Sequence, residues 1–254
     1  MMWQPVSGCG AGCVATSGGS VALGRAVLRV GALVGVLVSG LLLVPLLRRT
    51  AVRMIARGLL AALGVKLVWR GPVPRPGSLL VANHVSWLDI VALLAVEPVR
   101  LVAKHEVRGW PAIGMLARIS GSVFLDRTRP RLLPATVSEV TGALRAGRSV
   151  AVFPEGTTFC GAARGRFRPA MFQAAVDAQA PVVPISIRYD TTAAAFVGDD
   201  TLWDSVRRVA TLRSLTVTLV ASAPLRPAEG TDRRSLARAA QSCIGLPAQF
   251  GLAA

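Results

Sequence analysis

From Val30 to Leu47 the chain runs eighteen residues without a charge, VGALVGVLVSGLLLVPLL. As a helix this segment extends about 27 Å, close to the roughly 30 Å hydrocarbon core of a bilayer. A fold that carries it must bury it against a large core or leave it in lipid. Arg25 and Arg29 flank one end, and Arg48, Arg49, Arg53 and Arg57 the other. A secretory signal peptide does not fit, because its apolar region is only about 7–15 residues long and lies nearer the terminus. Gly31, Gly35, Gly40 and Pro45 lower intrinsic helicity, which keeps a buried core helix as the alternative. Arginine at both ends suits lipid headgroups and favours a membrane-embedded helix, spanning or re-entrant. The larger arginine count after the segment places the following chain on the cytoplasmic side of a cytoplasmic membrane.

The remaining composition narrows the class. With 52% hydrophobic and 17% charged residues among 254, intrinsic disorder is excluded. At ~100–200 residues per domain, the length allows one sizeable domain plus an appendage. The net charge is +16, and nine cations precede Asp89, the first acidic residue. So basic and apolar a chain points to an anionic membrane surface or to nucleic acid. Only 5% of residues are aromatic and no nucleic-acid motif is present, so no nucleic-acid partner is expected. Cys9, Cys13, Cys160 and Cys243 form no CxxC pair, and the chain has only two His residues, so no metal site is expected.

Residues 1–24, rich in Gly, Ser and Ala, read as a flexible tail, and 25–70 as a membrane-associated helical region. Within it, residues 51–68 set Arg53, Arg57 and Lys66 among apolar residues at helical spacing, a basic amphipathic pattern. An ordinary surface helix packed on the domain is the competing reading. Gly71–Ser78 is a Pro/Gly hinge, after which 71–254 reads as one α/β domain. Apolar runs at Leu79–Ala82, Arg100–Ala103, Ser122–Leu125, Ser149–Phe153, Val182–Ile187 and Leu215–Val220 predict buried strands. Helical patterns near 86–96, 109–119, 132–146, 168–180 and 232–243 alternate with them. That alternation implies a mostly parallel sheet flanked by helices.

Polar groups collect where those strands end. His84 stands just past the first, with Asp89 five residues on. A carboxylate on one imidazole nitrogen fixes the tautomer and leaves the other nitrogen as a base. Another strand ends in Pro154-Glu155-Gly156-Thr157, a turn in which Gly156 permits close backbone approach. A third ends in Asp126-Arg127, with Arg129 and Arg131 close behind. Arginine so placed can clamp a phosphate bidentately. Each feature alone is a common structural element, but in a parallel sheet the three converge on one crevice.

In these residues the chain resembles the lysophospholipid acyltransferase family, typified by 1-acylglycerol-3-phosphate acyltransferases. Asn83-His84-Val85-Ser86-Trp87-Leu88-Asp89 matches the NHxxxxD box, and Phe153-Pro154-Glu155-Gly156-Thr157 the FPEGT box. Gly121–Arg127 resembles the arginine-bearing box, and Val182-Val183-Pro184-Ile185 the apolar, proline-centred one. Lys104-His105-Glu106 lies where the family often has Lys-x-Glu. The likeness covers about residues 70–225.

The resemblance implies that His84, oriented by Asp89, deprotonates a hydroxyl that attacks an acyl thioester. It implies that Lys104, Arg127 and the Glu155-Gly156-Thr157 turn hold a phosphorylated acceptor. Since Glu155 repels phosphate, its expected task is to orient a basic residue or an acceptor hydroxyl. No metal and no bound cofactor is implied, the acyl-CoA or acyl carrier protein thioester being a co-substrate. The first expectation for the acceptor is 1-acylglycerol-3-phosphate, giving phosphatidic acid. Two departures widen the choice. Thr158-Phe159-Cys160 replaces the arginine that often follows FPEGT, and Phe167-Arg168-Pro169-Ala170 loses a glycine the family often has. Another lyso-lipid, such as lyso-ornithine lipid, is therefore the alternative. A non-enzymatic basic membrane-binding protein explains the charge but not the boxes, and no serine has the G-x-S-x-G setting of an α/β-hydrolase.

Overall fold

The structure is a computed structural model, and it describes residues 5–15, 19–110 and 113–245. Residues 1–4 and 16–18 of the expected tail, 111–112 of the expected helix 109–119, and 246–254 of the expected domain lie outside them. Seven strands form one sheet: β1 (Val65–Arg70), β2 (Leu79–Ala82), β3 (Arg100–Lys104), β4 (Val123–Leu125), β5 (Val150–Val152), β6 (Val182–Tyr189) and β7 (Leu215–Ala221). Their spatial order is β1-β7-β6-β2-β5-β3-β4. Strands β6, β2, β5, β3 and β4 are mutually parallel, β7 runs antiparallel to β6, and β1 is parallel to β7.

The central strands are near-continuous apolar runs because helices cover both faces. In β2, Leu80 and Ala82 enter one core, with α1 (Leu23–Ala62), α2 (Leu88–Val96) and α6 (Leu202–Thr211). Leu79 and Val81 enter the other, with α4 (Leu133–Arg145), α5 (Ala170–Ala178) and α7 (Arg233–Gly245). This is the two-residue period of a pleated strand between two layers. Helix α3 (Ile113–Ile119) follows β3 through a 3-10 turn, His105–Gly109.

Helix α1 is folded back on itself. Ile55 Cδ1 lies 2.7 Å from where a Cβ on Gly40 would sit, and Val36 Cγ1 lies 3.1 Å from that of Gly58. In a straight helix residues 40 and 55 would be about 22 Å apart. The element is therefore a helical hairpin, whose arms approach closely at two glycines. Its turn falls between residues 40 and 55. The uncharged run is thus distributed over one arm and the bend instead of forming one straight rod.

The second arm corrects the amphipathic expectation for residues 51–68. Arg53 donates to the carbonyl of Val96 at 2.6 Å and to Glu97 at 3.1 Å, and Arg57 to the carbonyl of Ala95 at 3.0 Å. These arginines satisfy the free carbonyls at the end of α2, so this arm packs on the domain. Lys66 is not helical at all, because residues 65–70 form β1 and so belong to the sheet. The boundary expected after residue 70 consequently falls inside the α/β layer. Part of the expected tail is also packed. Cys9 is buried against Val85, Cys160, Ala195 and Val197, and Val21 donates to the carbonyl of Thr211.

Candidate active site

The parallel strands deliver their carboxyl ends to one edge, and the site is assembled there. Past β2, Asn83 spans to β6 through both amide atoms, accepting from Ile187 N at 2.8 Å and donating to its carbonyl at 3.0 Å. That clamp fixes the backbone on which His84 follows. The His84 Nδ1 lies 2.8 Å from Asp89 Oδ2, and the ring stacks on Phe153 with centroids 4.0 Å apart. Its side chain is 18% exposed, so Nε2 is the nitrogen left for a reacting group.

Asp89 is fully buried in the first turn of α2, and both its oxygens are satisfied. Oδ2 accepts from Val85 N at 2.6 Å and Ser86 N at 2.9 Å as well as facing His84. Oδ1 accepts from the Tyr189 hydroxyl at 2.6 Å. Burial pushes the Tyr189 pKa well above its usual value, and the neighbouring carboxylate adds to this. Tyr189 therefore stays a donor to Asp89. The arrangement can take a proton at Nε2 and stabilise the resulting imidazolium through Asp89.

The turn after β5 meets His84 from the other side. Glu155 Oε2 accepts from His84 N at 2.7 Å and Oε1 from Gly165 N at 2.9 Å. Burial raises its pKa, opposed by these two main-chain donors. Both Glu155 oxygens take a main-chain N–H group, a positioning part beyond the expected orienting of a basic residue or an acceptor hydroxyl. Glu155 fastens the His84 loop to the loop at Gly165.

Gly156 adopts φ +78°, a left-handed conformation that favours glycine, and its carbonyl accepts from Arg127 Nη1. Thr157 is half-buried in the same turn. Loss of hydration lowers the Arg127 pKa, Glu106 opposes this, and Arg168 lowers it further. Lys104, at the end of β3, is likewise lowered, first by partial desolvation and then by Arg127. Arg127 therefore sits close enough to repel both Lys104 and Arg168, with Glu106 as the carboxylate beside Lys104 and Arg127. An anion at this place relieves that repulsion. Arg129 does not join them; it pairs with Asp126 at 2.6 Å with its side chain 63% exposed.

A family model described as acyltransferase matches residues 66–188. A 1-acyl-sn-glycerol-3-phosphate acyltransferase of Neisseria meningitidis is 36% identical over 196 residues, covering 74% of this chain and 77% of that protein. This chain belongs to the lysophospholipid acyltransferase family. A lyso-ornithine lipid O-acyltransferase of Pseudomonas aeruginosa is similarly close to this acyltransferase, 37% identical over 217 residues and covering 83% and 82% of the two chains. The crystal structure of a 1-acyl-sn-glycerophosphate acyltransferase from Thermotoga maritima shares the fold, with a TM-score of 0.68 at 22% identity over 87% of this chain and 92% of that one.

The structure brings His84, Asp89, Glu155, Gly156 and Arg127 together as the motifs imply, with Lys104 beside Arg127. It adds Tyr189 and Phe153 to the acyltransferase site as partners of Asp89 and His84. Tyr189 is the chain's sole tyrosine, placed at the end of the strand that carries the fourth box. That position was its only signal in the sequence.

Proposed function

We propose that this acyltransferase moves a fatty acyl group from a thioester donor to the free hydroxyl of a lysophospholipid, with 1-acylglycerol-3-phosphate as acceptor and phosphatidic acid as product. His84 Nε2 takes the hydroxyl proton as the oxygen attacks the thioester carbonyl. The tetrahedral intermediate then expels the thiolate, which recovers the proton from the imidazolium. Asp89, held by Tyr189 and two main-chain N–H groups, keeps the ring oriented throughout. Lys104, Arg127 and Arg168 bind the acceptor's phosphate, and the thioester comes from acyl-CoA or acyl carrier protein.

The observation that carries the choice of acceptor is the placing of cations at the same sheet edge as His84: Arg127 on the Gly156 carbonyl, Arg168 Cδ 3.7 Å from where a Gly156 Cβ would sit, and Lys104 at the end of β3 beside β4. A phosphate monoester answers such a cluster better than an amino-acid headgroup. Lyso-ornithine lipid is the second reading, supported by the Pseudomonas relative and by Ala170 in place of a family glycine. The enzyme works at the cytoplasmic membrane with its site towards the cytoplasm. Supporting this, Leu23–Gly40 has a mean hydropathy of 1.6 with only 11% of it buried, long and apolar enough to cross a bilayer. A second apolar surface, with Trp110, Ile113, Met115 and Ile119 exposed, adjoins the Lys104 end of β3.

The test is acyl transfer by membranes carrying the protein, with labelled acyl-CoA or acyl carrier protein and a panel of lyso-lipids. The expected result is preference for the phosphate monoester and a fall of roughly 10²–10⁴-fold in His84→Ala. Preference for lyso-ornithine lipid overturns the acceptor, and full activity in His84→Ala overturns the base.

A further inference from the structure

Cys9, Cys13 and Cys160 are far apart in the sequence, yet the fold places their three Sγ atoms within 4.8 Å of one another. Cys9 and Cys160 are buried and Cys13 is partly exposed. Two come from one short loop, where the 3-10 turn Ala11–Cys13 folds Cys13 back over Cys9. The third comes from the segment after the Pro154–Thr157 turn. Cys9 Sγ also accepts from Cys160 N at 3.4 Å. Main-chain N–H groups directed at sulfur are the kind of outer partner that supports a thiolate ligand.

We infer that these three cysteines form a binding site for a thiophilic d10 cation, zinc or monovalent copper. The donor set is sulfur only, with Val85, Ala195 and Val197 around it, and soft thiolates in apolar surroundings select such ions over calcium or magnesium. Metal–sulfur bonds of about 2.3 Å set sulfurs around one ion at about 3.8–4 Å spacing, so the cluster closes with shifts of under about 1 Å. Each thiol that ligates releases its proton to solvent, with no change in oxidation state. Cys13, at the surface, gives the ion its way in.

The bound ion ties the N-terminal segment to the loop beside the catalytic base. Phe159, the neighbour of Cys160, donates from its N–H to the carbonyl of His84 at 2.8 Å, and Val85 packs in the same cluster. Pro5 lies over Gly156, with its Cγ 2.8 Å from where a Cβ would sit. Closing the thiolate cluster therefore fixes residues 5–13 as a strap across the Gly156 turn.

The experiment uses the full-length, reduced protein. Zn²⁺ and Cu⁺ are titrated in separate arms against chromophoric chelators, and free thiols are counted before and after. The expected result is one ion per chain in at least one arm, with three of four thiols protected. Cys13→Ser and Cys160→Ser should each weaken binding at least tenfold, while Cys243→Ser leaves it unchanged. Cys13→Ser alters a partly exposed residue, so it tests the site even if Cys160→Ser fails to fold. No stoichiometric uptake of either ion overturns the inference. So does undiminished uptake in Cys160→Ser.

Discussion

His84 and Asp89 are held in register by Tyr189, by Glu155 and by the main-chain N–H groups of Val85 and Ser86. Tyr189 supplies the hydrogen bond that completes the Asp89 shell, and burial pushes the phenol further from ionising. In Tyr189→Phe the carboxylate loses one donor, at a cost of about 1–3 kcal/mol. Steady-state kinetics should show kcat lowered about tenfold and the acceptor KM nearly unchanged, the pattern of a positioning residue. Glu155 gives a different signature. Burial raises its pKa above 4.5, so between 4.5 and the folded value the native state holds more protons than the unfolded state. Stability must therefore fall as pH rises through that window. Thermal unfolding of Glu155→Gln should lack that part of the slope, while being less stable overall because an amide faces one main-chain N–H with another donor. The sequence exposed His84 and Asp89 through their spacing, and Arg127 through its place at a strand end. It could not expose the task of Glu155, since its partners are N–H groups that any residue carries. Nor could it expose Tyr189, which reaches Asp89 from 100 residues away.

At the scale of elements, the hairpin of α1 divides its arginines from its apolar face. Arg29 donates to the carbonyls of Ala210 and Leu212, and Arg53 and Arg57 to the end of α2, so these charges anchor the hairpin to the domain. Leu28, Val34 and Val38 face outward. Replacing all three with Glu should leave the melting temperature within a few degrees of wild type, because exposed positions contribute about 0.5 kcal/mol or less. Partitioning onto vesicles should fall at least tenfold, as measured by co-sedimentation. The expected strands all formed, because buried parallel strands announce themselves as unbroken apolar runs. Two elements escaped. Residues 65–70 are an edge strand, half-buried and interrupted by Lys66, and so looked like the end of an amphipathic helix. Helix α6 is short, with Asp204, Arg207 and Arg208 among its ten residues. Its Val206 and Val209 find their core only in the folded chain.

For the whole molecule, the net charge of +16 acts at longer range than any single contact. Binding to anionic vesicles should weaken severalfold as salt rises from 0.15 M to 1 M, where the screening length falls from about 8 Å to about 3 Å. Binding to neutral vesicles should barely change in the same sedimentation assay, since it rests on the apolar face alone. The sheet also dictates an order of assembly. Strand β1 has one neighbour, β7, and Val65 pairs with Leu215. During synthesis at about 5–20 residues per second, β1 waits of the order of ten seconds or more for that partner to emerge. The greasy hairpin is thus finished long before the catalytic layer can close, and an open edge travels beside it meanwhile. A message cut short anywhere before β7 leaves that edge open for good, so such truncations should yield clumping chains and not weakened enzymes.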